Sequence, residues 1–439
     1  MKYLKEPGVL NCSDNILPVD LFVTIFHRRL LNIDLNVQEC PALRDKLCKR
    51  SLMHVMLPGT KKITSAIINM NPFKKMLRFL LKKPLTWMAD RFSSAPKQEN
   101  VNASLSKLYA QSVDQPGKKS GSMFTIEHGK QPVIIFSDQH KGARDGSDDF
   151  AFAEKNYLAA LDYYNNNNYY LINLGDNEEL WENTIFKVVK HNQNTFDKEK
   201  LFIERNAYCK IIGNHDLFWK NDPLIAQGFI KKIYGTSIKI FEAIVLRVQM
   251  EKSYIDIFCT HGHQGDAQSD GNAFSKWFVS YIWGPLQMLL EINTNSPSTN
   301  DQSKTRHNQM MYEWASKQLG ALLITGHTHQ PVFKSLTHLE RLYLQLEDAQ
   351  QNNDKEAIEK IESEIPRRRR EYDFVNNSFR NLNPSYFNSG CCCFEDGTIT
   401  GIEITDGLIR LIKWSYVNNI PTRIIAEEAS LEEIAGLIK

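Results

Sequence analysis

Residues 133–140 of the chain read VIIFSDQH, residues 169–178 read YYLINLGDNE and residues 209–216 read CKIIGNHD. In each stretch a short apolar run, rich in β-branched or aromatic residues, ends in a polar cluster. Such runs are typical of buried parallel strands, and the spacing between them leaves room for crossover helices. Ligands bind beyond the carboxyl ends of parallel strands. We therefore expect the three polar clusters to lie together at one edge of a sheet in an α/β fold.

Two further apolar runs end in histidine-rich clusters. Residues 255–263 read IDIFCTHGH, and residues 322–329 read LLITGHTH. Together the five strand ends supply two aspartates, one asparagine and at least four histidines. Oxygen and imidazole donors without thiolate suit Mn, Fe or Zn better than a structural cysteine-type zinc site. Because these donors outnumber the positions around one tetrahedral ion, the pattern favours two ions that share a carboxylate.

The five clusters resemble the motifs of the calcineurin-like metallophosphoesterase superfamily, which are D-x-H, G-D-x-x-D/E, G-N-H-D/E, a histidine beside glycine, and G-H-x-H. In this chain the motifs are Asp138–His140, Gly175–Glu179, Gly213–Asp216, His261-Gly262 and Gly326–His329. The resemblance covers roughly residues 131–330, resumes around 388–414, and leaves the N-terminal third unexplained. It implies a four-layer α-β-β-α sandwich, here with an N-terminal extension and an inserted helical hairpin, and it implies hydrolysis of phosphoester bonds.

The resemblance also implies two divalent metal ions as cofactors, with Mn favoured over Fe and Zn. It implies seven ligands: Asp138, His140 and His329 for one ion, Asn214, His261 and His327 for the other, and Asp176 bridging both. Two such ions lower the pKa of a shared water and neutralise phosphate oxygens, so that hydroxide can attack phosphorus in line.

His215 resembles the acid of the family rather than a ligand. An imidazolium beside phosphate can stabilise charge and protonate the leaving oxygen, an effect of about 10²–10⁴-fold. We expect Asp216 to orient the ring of His215; the alternative is that Asp216 caps the following helix. His263, Lys141 and Arg144 are candidate substrate contacts. The alternatives are that His263 only fills its loop and that Lys141 and Arg144 are solvated surface residues.

Residues 178–181 (EELW) resemble the motif of the UDP-diacylglucosamine diphosphatase branch, which acts on a membrane-associated substrate. A phosphomonoesterase, a phosphodiesterase and a nucleotide-lipid pyrophosphatase are therefore all open within the same reaction class. A catalytically silent scaffold with this fold is a further alternative. The scaffold is disfavoured because all seven expected ligands and His215 are present.

Composition narrows the range of binding partners that we expect. A formal net charge of +2 in 439 residues argues weakly against a nuclease, which usually has a basic face, so we expect no nucleic acid partner. The eight cysteines form no C-x-x-C pair. Cys391-Cys392-Cys393 is not expected to form a metal knuckle, because neighbouring residues on a strand point to opposite faces. Reduced thiols and the lack of a secretory signal at the start of the sequence favour a cytoplasmic protein.

The expected domain organisation has three parts. Residues 1–122 are expected to be a mostly helical extension that ends in a linker over 93–122. Residues 123–415 are expected to form the phosphoesterase domain with a helical insertion at 337–374, and residues 416–439 a tail with a short helix. Residues 72–92 combine an apolar side with a basic side, which fits peripheral contact with a membrane, docking of a partner, or a surface helix packed on its own domain. The expected substrate is a phosphorylated small molecule or a lipid-linked phosphate.

Overall fold

The computed structural model describes residues 97–118, 120–144, 148–181, 183–221, 223–251, 253–265, 301–369 and 382–438. The predicted amphipathic segment at 72–92 lies outside these residues, as does most of the N-terminal extension. None of the helices in the described ranges is long and apolar enough to cross a bilayer.

The described residues form strands and helices that alternate along much of the chain. The strands are β1 (Gly121–Glu127), β2 (Val133–Phe136), β3 (Tyr170–Leu174), β4 (Tyr208–Ile211), β5 (Ile240–Phe241), β6 (Ala243–Gln249), β7 (Tyr254–Thr260), β8 (Ala321–Thr325), β9 (Val332–Phe333), β10 (Leu336–Thr337), β11 (Tyr386–Asn388), β12 (Ile399–Thr405), β13 (Leu408–Val417) and β14 (Ile420–Ser430). The helices are α1 (Gln98–Asp114), α2 (Phe150–Asn166), α3 (Ile185–His191), α4 (Gln193–Glu204), α5 (Phe218–Asn221), α6 (Pro223–Tyr234), α7 (Asp301–Ala315), α8 (His338–Gln351), α9 (Lys355–Arg368) and α10 (Leu431–Leu437).

These strands form two seven-stranded sheets. One has the order β14-β13-β12-β2-β3-β4-β5, and the neighbours β2, β3, β4 and β5 in it are parallel. The other has the order β1-β6-β7-β8-β11-β9-β10, and β7, β8 and β11 in it are parallel. The carboxyl ends of β2, β3 and β4 thus share one edge of the first sheet, while those of β7 and β8 share an edge of the second.

The two sheets pack face to face on an aliphatic core. Ile135 and Ile172 enter this core from one sheet, and Ile257 and Ile324 enter it from the other. Helices α2 and α4 cover the outer face of the first sheet, and α1 and α7 cover the outer face of the second. The parallel strands are therefore buried on both faces, which is why their sequences are continuous apolar runs. The predicted α-β-β-α sandwich is confirmed.

The prediction of a linker over residues 93–122 is wrong. Helix α1 occupies most of the described part of that stretch, and its Val101, Leu105 and Leu108 are buried against the second sheet. Strand β1 then pairs in parallel with β6. The apolar stripe of α1 follows helical spacing, but polar residues on its exposed side dilute the signal. The sheet therefore begins before the predicted domain boundary at 122/123.

The prediction of a C-terminal tail over 416–439 is also wrong, apart from its helix. Strand β14 pairs antiparallel with β13 along its whole length, so it is an edge strand of the first sheet. All of its residues are exposed or half-buried, and several are charged, so it lacks the buried apolar positions that indicate a strand. The short helix α10 is present, and the side chain of Ser430 accepts a hydrogen bond from the backbone N–H of Glu433 at its start. The predicted helical insertion corresponds to α8 and α9.

Candidate metal centre

The polar clusters lie on short loops at the carboxyl ends of five strands. Asp138, Asp176 and Asn214 follow β2, β3 and β4 of the first sheet, whereas His261 follows β7 and the G-H-T-H loop follows β8 of the second. Packing of the two sheets brings these loops together. The site therefore has residues from both sheets, and it depends on the sandwich for its geometry.

The backbone of these loops is left-handed at several of the predicted ligands. The φ angle is +52° at Asp138, +48° at His140, +50° at Asp176, +69° at His327 and +56° at His329. Non-glycine residues rarely adopt this conformation, and where they do the strain clusters at functional sites. The loops are therefore shaped to aim particular side chains.

Two motif glycines leave space for the carboxylates. A side chain at Gly213 would collide with the carboxylate of Asp176, and one at Gly326 would collide with the carboxylate of Asp138 and with Ser137. Any larger residue at these two positions would push an aspartate out of the site. The glycines of G-N-H-D and G-H-T-H are thus explained by close approach.

The first group of predicted ligands consists of Asp138, His140 and His329, whose donor atoms lie within 4.8 Å of one another. His329 Nε2 is 3.3 Å from Asp138 Oδ1, and His140 Nε2 is 3.2 Å from His329 Nε2. His140 Nε2 is also 3.7 Å from Asp176 Oδ2. The two imidazoles therefore converge on the same small volume beside two carboxylates.

The second group consists of Asp176, His261 and His327, again with donor atoms within 4.8 Å. His261 Nε2 is 3.1 Å from Asp176 Oδ2 and 3.2 Å from Asn214 Oδ1. His327 Nε2 is buried and lacks a hydrogen-bond partner among the described residues. Asp176 Oδ2 thus lies near a histidine of each group, and Asn214 adds an amide oxygen to the second.

Hydrogen bonds on the far side of the rings fix which nitrogen faces the carboxylates. His261 Nδ1 donates to the carbonyl of Leu174 at 2.9 Å, and His140 Nδ1 donates to Glu179 Oε2 at 3.0 Å. In each ring Nε2 is then left to face the aspartates. Ligating histidines in metal sites are generally held in this way by their second nitrogen.

The electrostatics of the site favour positive charge. Burial opposes ionisation of Asp176, but the imidazoles of His261 and His215 outweigh it and hold the pKa of that carboxyl well below its usual range. Burial also opposes protonation of His261, yet Asp176 and Asp138 raise its pKa to about 9. A divalent cation satisfies the same attraction and displaces protons when it binds. The donor set, its geometry and an unpartnered imidazole nitrogen therefore fit two divalent ions.

His215 lies beside the first group, with its ring centroid 4.6 Å from that of His140. Its Nδ1 donates to Glu179 Oε2 at 2.7 Å, and the ring of Trp181 stacks on it at 4.1 Å. Glu179 therefore holds both a predicted ligand and the predicted acid. Burial opposes protonation of His215, but Glu179 and Asp176 raise its pKa.

The prediction that Asp216 orients His215 is wrong. Asp216 is buried and turns the other way, where it accepts hydrogen bonds from the backbone N–H of Gly213 at 2.6 Å and of Asn177 at 2.9 Å. Its carboxylate organises the loop rather than the ring. Glu179 takes the orienting position, and sequence reasoning missed it although it stands at the D/E position of the G-D-x-x-D/E motif.

Lys141 does not face a substrate, contrary to prediction. It is fully buried, and its Nζ is 2.8 Å from Glu199 Oε1 and 3.3 Å from Glu178 Oε1. Arg144 likewise does not reach the site, because its guanidinium is paired with Glu154 at 2.5 Å and donates to Asn192 Oδ1 at 3.2 Å. Both cations are occupied by protein carboxylates.

His263 lies close to the centre, with its ring centroid 5.4 Å from that of His261. It is buried, its Nδ1 has no hydrogen-bond partner in the described part of the chain, and burial lowers its pKa well below the usual range. A role of His263 in contacting substrate stays a prediction.

A comparison with protein-family models matches residues 131–331 to the calcineurin-like phosphoesterase model. The matched stretch is a little under half of the 439 residues and contains all five clusters. Residues 131–331 are thus similar to calcineurin-like phosphoesterases, a family that typically uses divalent metal ions, and the match supports a phosphoesterase. None of the comparisons shows the UDP-diacylglucosamine diphosphatase branch.

Three solved structures align with the chain at low similarity. Vacuolar Protein Sorting 29 from Cryptosporidium parvum is 12% identical with a TM-score of 0.27, and the alignment covers 68% of this chain and 98% of that chain. A single mutant of Vps29 from Entamoeba histolytica is 12% identical with a TM-score of 0.25, covering 68% and 100%. A dimetal phosphatase from Danio rerio is 7% identical with a TM-score of 0.28, covering 68% and 99%. Scores this low add nothing to the assignment, and no curated protein matches the chain.

Proposed function

We propose that the protein hydrolyses phosphoesters with two divalent ions held between the two sheets. The observation that carries the proposal is the position of Asp176 Oδ2, which lies 3.7 Å from His140 Nε2 and 3.1 Å from His261 Nε2. A carboxylate with imidazoles of two separate groups on either side is suited to serve two ions at once.

The seven residues divide between the two positions as their groups do. One ion would be held by Asp138, His140 and His329, the other by Asn214, His261 and His327, with Asp176 common to both. When bound, such ions supply Lewis acidity toward phosphate oxygens and a water acidic enough to react near neutral pH. Carboxylate, amide and imidazole donors suit Mn, Fe or Zn, and we propose Mn.

His215 supplies the proton for the leaving group. Because Glu179 accepts from Nδ1, the imidazolium keeps its Nε2–H for the leaving oxygen. The side chain of His215 is 18% exposed, so that the ring is accessible from outside the site. Trp181 on one face of the ring and Glu179 at its edge restrict rotation, which keeps the donor aimed during the reaction.

The substrate we propose is a phosphorylated small molecule or a lipid-linked phosphate. The Lys141 and Arg144 cations are paired internally, so the charge of the phosphate would be met chiefly by the two ions. We also retain the proposal that residues 72–92 contact a membrane surface. Co-sedimentation with anionic liposomes, of the whole chain and of a variant with the basic residues of 72–92 replaced by glutamine, tests that contact.

The function is tested with p-nitrophenyl phosphate and bis(p-nitrophenyl) phosphate. Protein stripped by chelator should be inactive, and added Mn²⁺ should restore hydrolysis of at least one of the two substrates. Asp176→Asn should remain folded and inactive under the same conditions. Protein that binds two ions per chain and hydrolyses neither compound, nor a nucleotide diphosphate compound, would contradict the proposal and favour a scaffold.

A further inference from the structure

Three side chains form a sulfur and nitrogen cluster next to the candidate metal centre. The donor atoms of Cys391, Cys393 and His329 lie within 4.8 Å of one another. Cys391 and Cys393 are buried, at 1% and 7% exposure, and Cys393 Sγ is 3.9 Å from His329 Nδ1. Cys393 thus approaches the ring nitrogen that faces away from Asp138, and Cys391 completes the group.

The remaining cysteine of the run, Cys392, points in a different direction. Cys392 Sγ lies 3.8 Å from the carbonyl of Thr400, and its side chain belongs to the apolar cluster under helix α2. Sequence reasoning excluded a metal site in this run because neighbouring residues face opposite ways. In the structure the run lies in the loop between β11 and β12 rather than on a strand, so that reason does not apply, and Cys391 and Cys393 lie together while Cys392 turns away. The loop after β8 then supplies His329 as a third donor.

We propose that Cys391, Cys393 and His329 Nδ1 form a site for a thiophilic d¹⁰ cation such as Zn²⁺, Cd²⁺ or Cu⁺. Two thiolates and an imidazole select such ions, whereas the oxygen-rich donors around Asp138 and Asp176 suit harder ones. Binding releases one proton from each thiol, because the thiolate is the ligand. A water molecule or another weak donor would complete the coordination of the cation.

Sharing of His329 makes the site inhibitory, and this part rests on the proposed function. His329 Nε2 faces Asp138 Oδ1 at 3.3 Å, whereas its Nδ1 faces the sulfurs. A neutral imidazole has one unprotonated nitrogen. A soft cation on Nδ1 therefore competes with an ion on Nε2, unless the ring loses its last proton. Occupancy of the sulfur site should weaken the binding of an ion by Asp138, His140 and His329.

Binding is tested with Cd²⁺ on reduced, Mn-loaded protein, using ultraviolet thiolate-to-cadmium charge transfer as the readout. Compared with wild type, the double variant Cys391→Ser/Cys393→Ser should lose one cadmium equivalent and its share of the absorption. Cys392→Ser is the matched control, because it removes a buried thiol of the same run that faces the other way, and it should bind as wild type does. The comparison subtracts the contribution of the remaining cysteines.

Equal cadmium absorption in the wild type and the double variant would overturn the site, and so would an equal loss in Cys392→Ser. If the double variant does not fold, cadmium-edge X-ray absorption of the wild type at one equivalent decides. Two sulfur ligands and at least one nitrogen ligand are expected. A shell of oxygen and nitrogen alone would overturn the proposal.

Inhibition is measured separately. Cd²⁺ should lower hydrolysis by wild type and by Cys392→Ser by about 10-fold or more, in line with the usual effect of disturbing the surroundings of a metal ligand. The rate of the double variant with Cd²⁺ should stay close to its own rate without Cd²⁺. Cadmium bound at the sulfurs without inhibition would overturn the coupling through His329. Cadmium bound by a protein that hydrolyses nothing would overturn the proposed function and leave the sulfur site standing.

Discussion

Two buried polar regions lie side by side in this molecule and differ in charge balance. One is an ion network of two cations and two anions, formed by Lys141 and Lys210 with Glu178 and Glu199. Its contacts are close: Lys210 Nζ is 2.8 Å from Glu178 Oε2, and Lys141 Nζ is 2.8 Å from Glu199 Oε1. Burial alone would raise the pKa of Glu178, but the two ammonium groups outweigh it and lower that pKa to about 2.

The metal centre has no such balance. The partners that the structure gives Asp138 and Asp176 are imidazoles and backbone N–H groups, with Asp176 Oδ1 accepting from the N–H of His215 at 2.7 Å. Burying a charge is costly unless it is paired. The ion network satisfies this requirement with its own residues, whereas the aspartates require positive charge from protons or cations. The contrast supports the proposal that the second region, rather than the first, is the site of chemistry.

The largest effect on activity is expected at His215, which lies beside the metal centre. His215→Asn should lower kcat by about 10²–10⁴-fold, because the amide cannot protonate the leaving oxygen. The loss should be greater for phenyl phosphate than for p-nitrophenyl phosphate, since p-nitrophenolate needs less help to leave. Steady-state kinetics on both compounds provides an internal control. Equal losses on the two would contradict the role of His215 as acid.

The next largest effect is expected on the stability of the protein, from a substitution in the buried ion network. Lys141→Met should lower the free energy of unfolding by about 3–5 kcal/mol, because it removes the ammonium that pairs with the buried Glu199 and leaves Glu178 with Lys210 alone. Arg144→Met is the control in the same loop. The side chain of Arg144 is 23% exposed, so the loss there should be about 1 kcal/mol or less. Denaturant unfolding of both variants measures the difference, and equal losses of stability would contradict the distinction between the buried Lys141 and the partly exposed Arg144.

Substitutions at Glu179 and Asp216 should distinguish a residue that orients His215 from one that maintains the structure of the loop. Glu179→Gln should lower kcat by about 10–100-fold with little change in stability, because the neutral amide holds the rings of His140 and His215 less well. Asp216→Asn should instead cost about 1–3 kcal/mol of stability, since its new NH₂ group opposes backbone N–H donors. Kinetics per folded molecule and thermal unfolding distinguish the two. A reversed pattern would restore Asp216 as the orienting residue.

The smallest effect is expected at Trp181, which is 49% exposed and stacks on His215 with an interplanar angle of 19°. Trp181→Ala should lower kcat by no more than about 10-fold, because a stacked aromatic pair is worth about 0.5–1.5 kcal/mol. Trp181→Phe should recover part of the rate. Phe186→Ala is a control, since Phe186 is 63% exposed and contacts Phe229 rather than His215. A wild-type kcat in Trp181→Ala would exclude a positioning role.

The fold and the assembly of the site could be predicted from the sequence because both depend on strand ends. Apolar runs such as VIIF mark buried parallel strands, and the residues that follow them must meet at the sheet edge. The donor atoms of Asp138, His140 and His329 lie within 4.8 Å of one another, as do those of Asp176, His261 and His327. That these residues are metal ligands stays a prediction.

Side-chain direction within the loops could not be predicted. Lys141 follows His140, and Asp216 follows His215, yet in each pair the second residue turns into the protein while the first faces the centre. The backbone at His140 is left-handed, and no spacing rule encodes that conformation. Helix α1 and strand β14 were missed for a different reason. Helix α1 buries a narrow apolar stripe among many polar residues, and β14 has no buried residue.

The central claim is that the buried carboxylates and imidazoles hold two cations. Metal analysis of protein that has been stripped, reloaded with Mn²⁺ and desalted tests it most directly, with Asp176→Asn treated in parallel. The account predicts two manganese ions per wild-type chain and fewer in the variant. One ion or none in the wild type, or two ions retained by Asp176→Asn, would contradict it.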